Sequence, residues 1–175
     1  RQELTDASGT DDLNAAATSQ AVALDLRPGG TSTIAGQPLT IGTNTTIENA
    51  FGGAGGDQIA GNAAANTLEG GQGDDSIVGL AGDDMLVGGR GSDRLEGGAG
   101  TDTARFDAAE ADIAFARGAD GAVTASVGDT TDTLVGIETV MFDDGSTAPL
   151  DSLVPEQNRP PDASDDSVTV TSGES

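Results

Sequence analysis

The chain has 175 residues, 30 of them acidic and 7 basic, for a formal net charge of -23. That balance excludes a nucleic-acid surface, because every phosphate would be repelled, and it disfavours an anionic membrane. With no cysteine and no histidine, disulfides, zinc-thiolate sites, Ser-His-Asp triads and cysteine nucleophiles are excluded as well. A carboxylate pair of the glycosidase kind is formally open, but the chain has no Trp and no Tyr to line a sugar cleft. Such an acidic excess destabilises any compact state unless multivalent cations are bound; a solvated, disordered acidic chain is the alternative on charge alone.

Residues 1–51 read as a β capping region. The segment Asp6 to Asn14, DASGTDDLN, is acidic. In Ala21 to Leu26, Val22, Leu24 and Leu26 share one face, which predicts a half-buried strand ended by Pro28, Gly29 and Gly30. Thr31 to Ile34 and Leu39 to Ile41 are further short strands of the same cap.

From Gly52 the chain runs in nine-residue register: GGAGGDQIA, GNAAANTLE, GGQGDDSIV, GLAGDDMLV, GGRGSDRLE and GGAGTDTAR. Position one is always glycine. Position six is Asp57, Asn66, Asp75, Asp84, Asp93 and Asp102, and position eight is Ile59, Leu68, Ile77, Leu86, Leu95 and Ala104. The glycine-rich first six residues are expected to turn, and the last three to form a short strand with its middle side chain in the core. With two units per turn of a coil, loops one, three and five align Asp57, Asp75 and Asp93, while loops two, four and six align Asn66, Asp84 and Asp102.

Stacked carboxylates repel, so each column calls for hard cations between successive loops. Calcium suits this donor set, since it takes 6–8 oxygen ligands at flexible angles where magnesium holds its waters. The candidate ligands are the position-six side chains together with the backbone of Gly52, Ala54, Gly70, Gly71, Gln72, Gly73, Gly79, Ala81, Gly82, Gly88, Gly89, Arg90, Gly91, Gly97, Gly98 and Gly100. Several ions are expected, the weakest at Asn66, where a charge is missing. The core of Ile and Leu is thin for a glycine-rich stretch, so the fold is expected to depend on the metal.

After the roll, residues 106–154 read as a C-terminal β cap. Ile113 to Arg117 and Val123 to Val127 flank GADG, a hairpin signal, and Leu134, Ile137, Val140 and Phe142 supply an apolar face. Residues 155–175 change character to a proline-containing linker followed by a strand-like SVTVT that reads as the start of another domain.

The nonapeptides GGQGDDSIV and GGRGSDRLE resemble the RTX (repeat-in-toxin) calcium repeat at every defining position. The resemblance weakens where Asn62, Ala64 and Asn66 replace Gly, Gly and Asp, where Leu80 replaces Gly, and where Ala104 replaces a large apolar residue. It implies an all-β, right-handed parallel β-roll with capping strands. TIENAFGGAGGD, Thr46 to Asp57, looks like the entry to the roll of serralysin-type secreted metalloproteases, and Asp6 to Asn14 is similar to an acidic calcium segment upstream of it. By that resemblance Asp6 and Asp11 are candidate ligands, with Asp12 beside them; a solvated turn with capping carboxylates is the alternative. The family's zinc-binding catalytic domain is not present, as its helix needs histidines.

The resemblance implies a secreted, extracellular or cell-surface location in bacteria, type I export, calcium ions as partners, and further domains of a larger parent, with no membrane insertion by this segment. A non-catalytic, calcium-dependent folding module is the leading reading. The accessory region of a secreted protease, lipase or epimerase and a ligand-binding adhesin domain are the alternatives.

Overall fold

The computed structural model describes residues 2–5 and 8–154, and the chain there is all-β. The candidate ligand Asp6 and the strand expected at Ser167 to Thr171 lie outside the described residues. The strands, in chain order, are β1 (Gln2–Leu4), β2 (Asp12–Asn14), β3 (Ala23–Asp25), β4 (Thr31–Ile34), β5 (Gln37–Ile41), β6 (Asn49–Ala54), β7 (Gln58–Ala60), β8 (Thr67–Gln72) and β9 (Ser76–Ala81). They continue with β10 (Met85–Arg90), β11 (Arg94–Ala99), β12 (Thr103–Arg105), β13 (Ala114–Arg117), β14 (Val123–Val127), β15 (Thr130–Val135), β16 (Thr139–Met141) and β17 (Thr147–Pro149), and a single helical turn, α1 (Leu150–Leu153), follows.

These strands make two sheets, ordered β1-β5-β4-β3-β7-β9-β11-β15-β14-β13 and β17-β16-β12-β10-β8-β6-β2. Through the repeats, successive strands alternate between the sheets, and each pairs in parallel with the strand two further on. The offset is one pair of nonapeptides: Gln58↔Ser76 and Ser76↔Arg94 in one sheet, Thr67↔Met85 and Met85↔Thr103 in the other. The identical phase of apolar residues in every unit explains this pairing, since a shift of one residue would turn each position-eight side chain out of the core.

Two apolar ladders result. Leu24, Ile59, Ile77, Leu95 and Leu134 are in register along one sheet. Leu13, Ala50, Leu68, Leu86, Ala104 and Val140 are in register along the other. All are buried and belong to one core cluster. Ala104, where a large apolar residue was expected, is fully buried nonetheless.

The structure corrects the expected division of each nonapeptide. The strands of the central units are six residues long and run on through positions one to three, as in Thr67–Gln72. Gly71 pairs with Gly89 and Gln72 with Arg90, so the turn is confined to positions four to six. A glycine pair lacks side chains to separate the backbones, and the ladder hydrogen bonds continue across it.

Parallel pairing also extends past both ends of the repeats. β2 pairs with β6 and β3 with β7 at the N-terminal end, while β15 adds to β11 and β16 to β12 at the C-terminal end. Beyond these rungs the chain also turns antiparallel, in β3–β4–β5, in β13–β14–β15 and in β16–β17. The hairpin expected around GADG is β13–β14. Phe115 of β13 packs edge to face against Phe106, ring centroids 6.4 Å apart.

Candidate metal centre

Position one is glycine because of position six. A Cβ built on Gly70, Gly79, Gly88 or Gly97 would collide with the Oδ2 atom of Asp75, Asp84, Asp93 or Asp102, the carboxylate of the same unit. The side chain at position six thus folds back over the start of its own loop. At position four the turn needs positive φ, as at Gly73 (+116°) and Gly91 (+137°), and a Cβ on Gly91 would overlap the carbonyl oxygen of Gly73 in the loop below. Successive loops are therefore in backbone contact.

Each carboxylate is held by the loop that precedes it in its column. The backbone N–H of Asp57 donates to Oδ1 of Asp75 (2.7 Å), and that of Asp75 to Oδ1 of Asp93 (2.8 Å). In the second column the N–H of Asn66 donates to Oδ1 of Asp84 (2.7 Å), and that of Asp84 to Oδ1 of Asp102 (2.9 Å). These bonds use one oxygen of each carboxylate. The other, Oδ2 of Asp75, Asp84, Asp93 and Asp102, is buried with no hydrogen-bond partner among the described residues.

Four buried, unpartnered carboxylate oxygens are costly, and the electrostatics show it. Burial pushes the Asp75 carboxyl up to about 7, against the lowering effect of the N–H it accepts; the charges of Asp93, Asp57 and Asp74 push it further. Burial likewise raises Asp84 to about 6, and Asp93 and Asp102 also lie above the usual carboxylate range. A hard cation would remove this penalty, and every donor here is oxygen, so the residues fit calcium. Among the described residues no three acidic side chains converge on one point, so most ligands must be backbone carbonyls.

The other candidate residues divide by environment. Asp57 differs from its column partners, because Oδ1 accepts from Val22 N–H (2.8 Å) and Oδ2 from Gly53 N–H (2.7 Å). One bond comes from the segment before the repeats and the other from within its own unit. Asn66 is saturated too: Oδ1 accepts from Asn62 N–H (2.8 Å), and Nδ2 donates to the carbonyls of Ile47 (3.2 Å) and Glu48 (3.1 Å). Asn62 Nδ2 reaches Ile47 O at 2.6 Å. At this rung, where the weakest site is expected, the amide hydrogens of Asn62 and Asn66 face the carbonyls of Ile47 and Glu48.

Among the position-three residues, Gln72 O accepts from Gly55 N–H (2.8 Å) and Arg90 O from Gly73 N–H (2.7 Å), leaving a second lone pair on each. Ala54 and Ala81 end the strands at the same position, and Gly52, Gly71, Gly82, Gly89, Gly98 and Gly100 line the loop edges with them. Asp11 is partly buried and knits the cap: its N–H donates to Glu48 Oε2 (2.9 Å), and its carbonyl accepts from Glu48 and Asn49.

Several functional positions escaped the sequence reading. Asp132 Oδ1 accepts from Asp93 N–H (2.8 Å), and Glu138 Oε2 accepts from Asp102 N–H (2.8 Å), so both columns continue beyond the repeats. Burial raises Asp132 to about 6, with the Asp93 charge adding to it. Asp74 and Asp83, at position five, accept from Ser92 N–H (2.8 Å) and Thr101 N–H (2.9 Å) and tie adjacent loops together. The D-T-L triplet at Asp132, which repeats positions six to eight of the nonapeptide, was the available signal.

The model of the RTX calcium-binding nonapeptide repeat (4 copies) matches residues 51–86 and 78–107. No curated protein matches the chain. The matched stretch contains all four unpartnered carboxylates and is similar to repeats that bind several calcium ions along their length. Residues 51–107 therefore match calcium-binding RTX repeats, and calcium is the cofactor of that stretch.

Proposed function

We propose that the chain is a non-catalytic folding module of a secreted bacterial protein: a right-handed parallel β-roll that is completed by calcium and stays unfolded where calcium is scarce. The observation that carries this reading is the set of buried Oδ2 atoms on Asp75, Asp84, Asp93 and Asp102, which no group among the described residues satisfies. Calcium supplies positive charge to these oxygens and to the loop carbonyls of units three to six. The chain's own residues do the rest: the glycines let the loops approach, the N–H of each position-six residue orients the next carboxylate, and the apolar ladders set the spacing.

Extracellular calcium is millimolar and extracellular sites are correspondingly weak, so such a module would pass through a type I exporter unfolded and fold outside. Residues 1–51 and 106–154 act as caps that cover the ends of the roll, and residues 155–175 lead into a further domain of a larger parent. The test is far-UV circular dichroism during titration from chelator to about 10 mM calcium, with magnesium as the control. A cooperative, calcium-specific gain of β signal supports the reading; a spectrum already β-rich in chelator and indifferent to calcium overturns it.

A further inference from the structure

The second carboxylate column does not end with the last nonapeptide. Asp102 is fully buried, and its Oδ2 has no partner among the described residues. Within the repeats, the equivalent oxygen lies over the position-one glycine of its own unit, next to the position-one carbonyl of the following turn. A Cβ on Gly61 would meet Asn66 Oδ1 and Gly79 O, and one on Gly79 would meet Asp84 Oδ2 and Gly97 O. The same construction on Gly97 meets Asp102 Oδ2 and the carbonyl of Gly136.

Gly136 therefore stands where an eighth repeat, the next in the column of units two, four and six, would place its first glycine, although it belongs to no nonapeptide. The equivalence extends to the acid. Asn66 N–H donates to Asp84 Oδ1 at 2.7 Å, Asp84 N–H to Asp102 Oδ1 at 2.9 Å, and Asp102 N–H to Glu138 Oε2 at 2.8 Å. The turn from Gly136 to Glu138 is two residues apart where the repeat's spans five, from position one to position six. Glutamate's extra methylene lets its carboxylate reach the rung that aspartate reaches from the longer loop.

We propose that Gly136 and Glu138 close an additional calcium site with Asp102, outside the nonapeptide register, using the Asp102 carboxylate, the Gly136 carbonyl and the Glu138 carboxylate. This rests on the reading of the columns as calcium sites. The site sits where the roll meets the C-terminal cap, and Glu138 is followed directly by β16. Ion binding there ties docking of the β16 strand to calcium. Gly136 and Glu138 are exposed, so water completes the coordination, and this rung fills at higher calcium than the inner ones.

The test is native mass spectrometry of the full chain across a calcium titration, with Glu138→Gln and Asp84→Asn beside the unchanged protein. Glu138→Gln keeps an acceptor for Asp102 N–H and removes the charge. The expected result is one calcium fewer in Glu138→Gln, lost from the weakest step, with the tighter steps unchanged. An unchanged stoichiometry and unchanged last step in Glu138→Gln overturn the proposal while leaving the repeat sites standing. Absence of calcium from the unchanged protein overturns the reading of the columns themselves.

Anomalous diffraction from crystals of the unchanged, calcium-loaded protein gives a measurement that does not depend on a variant folding. A peak bounded by Asp102, Gly136 and Glu138 supports the site. Peaks within the repeats and none there overturn it.

Discussion

Asp84 N–H donates to Oδ1 of Asp102 at 2.9 Å, while Oδ2 of the same Asp102 is buried without a partner among the described residues. One oxygen thus ties successive turns together and the other is left for a cation. This division of labour makes the two oxygens separable by mutation, and it underlies the predictions that follow.

Asp84→Asn keeps an oxygen for Asn66 N–H and deletes the charge. Without metal it should be more stable than the unchanged chain, because a buried ionised group is gone. With calcium it should fold at a midpoint roughly tenfold higher, which corresponds to about 1.4 kcal/mol. Paired melts in chelator and in calcium would read both arms, and an unshifted calcium midpoint would remove Asp84 from the site.

Acid should partly replace calcium. Asp75 is raised to about 7 and Asp84 and Asp132 to about 6 in the folded chain, whereas an unfolded Asp titrates near 3.9. A folded-state pKa above the unfolded one means stability that is fully present below the unfolded value and lost as pH rises through about 6–7. Metal-free protein should therefore gain β signal as pH falls from about 7.5 to about 5, measurable by circular dichroism in metal-stripped buffer. Flat spectra over that range would contradict the burial of these carboxyls.

Leu80 occupies position two with φ +81° and is 36% exposed. A non-glycine residue there carries backbone strain of about 1–2 kcal/mol, partly offset by glycine's larger entropy loss of about 0.5–1 kcal/mol. Leu80→Gly should stabilise the calcium-loaded roll by about 0.5–1 kcal/mol, raising Tm by roughly 2 °C. A lower Tm would show that the leucine side chain contributes packing that outweighs its strain.

Asn66→Asp replaces two donors, to Ile47 O and Glu48 O, with a carboxylate facing those carbonyls. The metal-free form should lose about 1–3 kcal/mol. Calcium should restore most of it, and calorimetry should detect calcium bound beyond the unchanged chain's stoichiometry. If calcium fails to rescue the variant, the Asn62–Asn66 rung is not a protein-only counterpart of an ion site.

The functional class was legible because its determinants are local. Six units in one register, with glycine at position one and an acid or amide at position six, announce a repeated loop, and the apolar residue at position eight announces the ladder. What each position-six residue does was not legible. Asp57 and Asp75 look equivalent in the sequence, yet Asp57 has both oxygens satisfied, one of them by Val22 from the N-terminal cap. Oδ1 accepts an N–H in both residues, from Val22 in one and from Asp57 in the other; what sets Asp57 apart is the Gly53 N–H on its Oδ2, a bond that the spacing of the unit does not announce.

The sequence by itself determined the repeat: its period, its inward face, its all-oxygen donor set and hence its preference for a hard cation. Those properties follow from composition and spacing inside nine residues. Only the tertiary structure decided which carboxylates lack a partner among the described residues, that Asp132 and Glu138 extend the columns, and that the side-chain amides of Asn62 and Asn66 meet the carbonyls of Ile47 and Glu48. Hydrogen-bond satisfaction is a property of stacked turns, and the residues that meet in a stack are 18 to 39 positions apart.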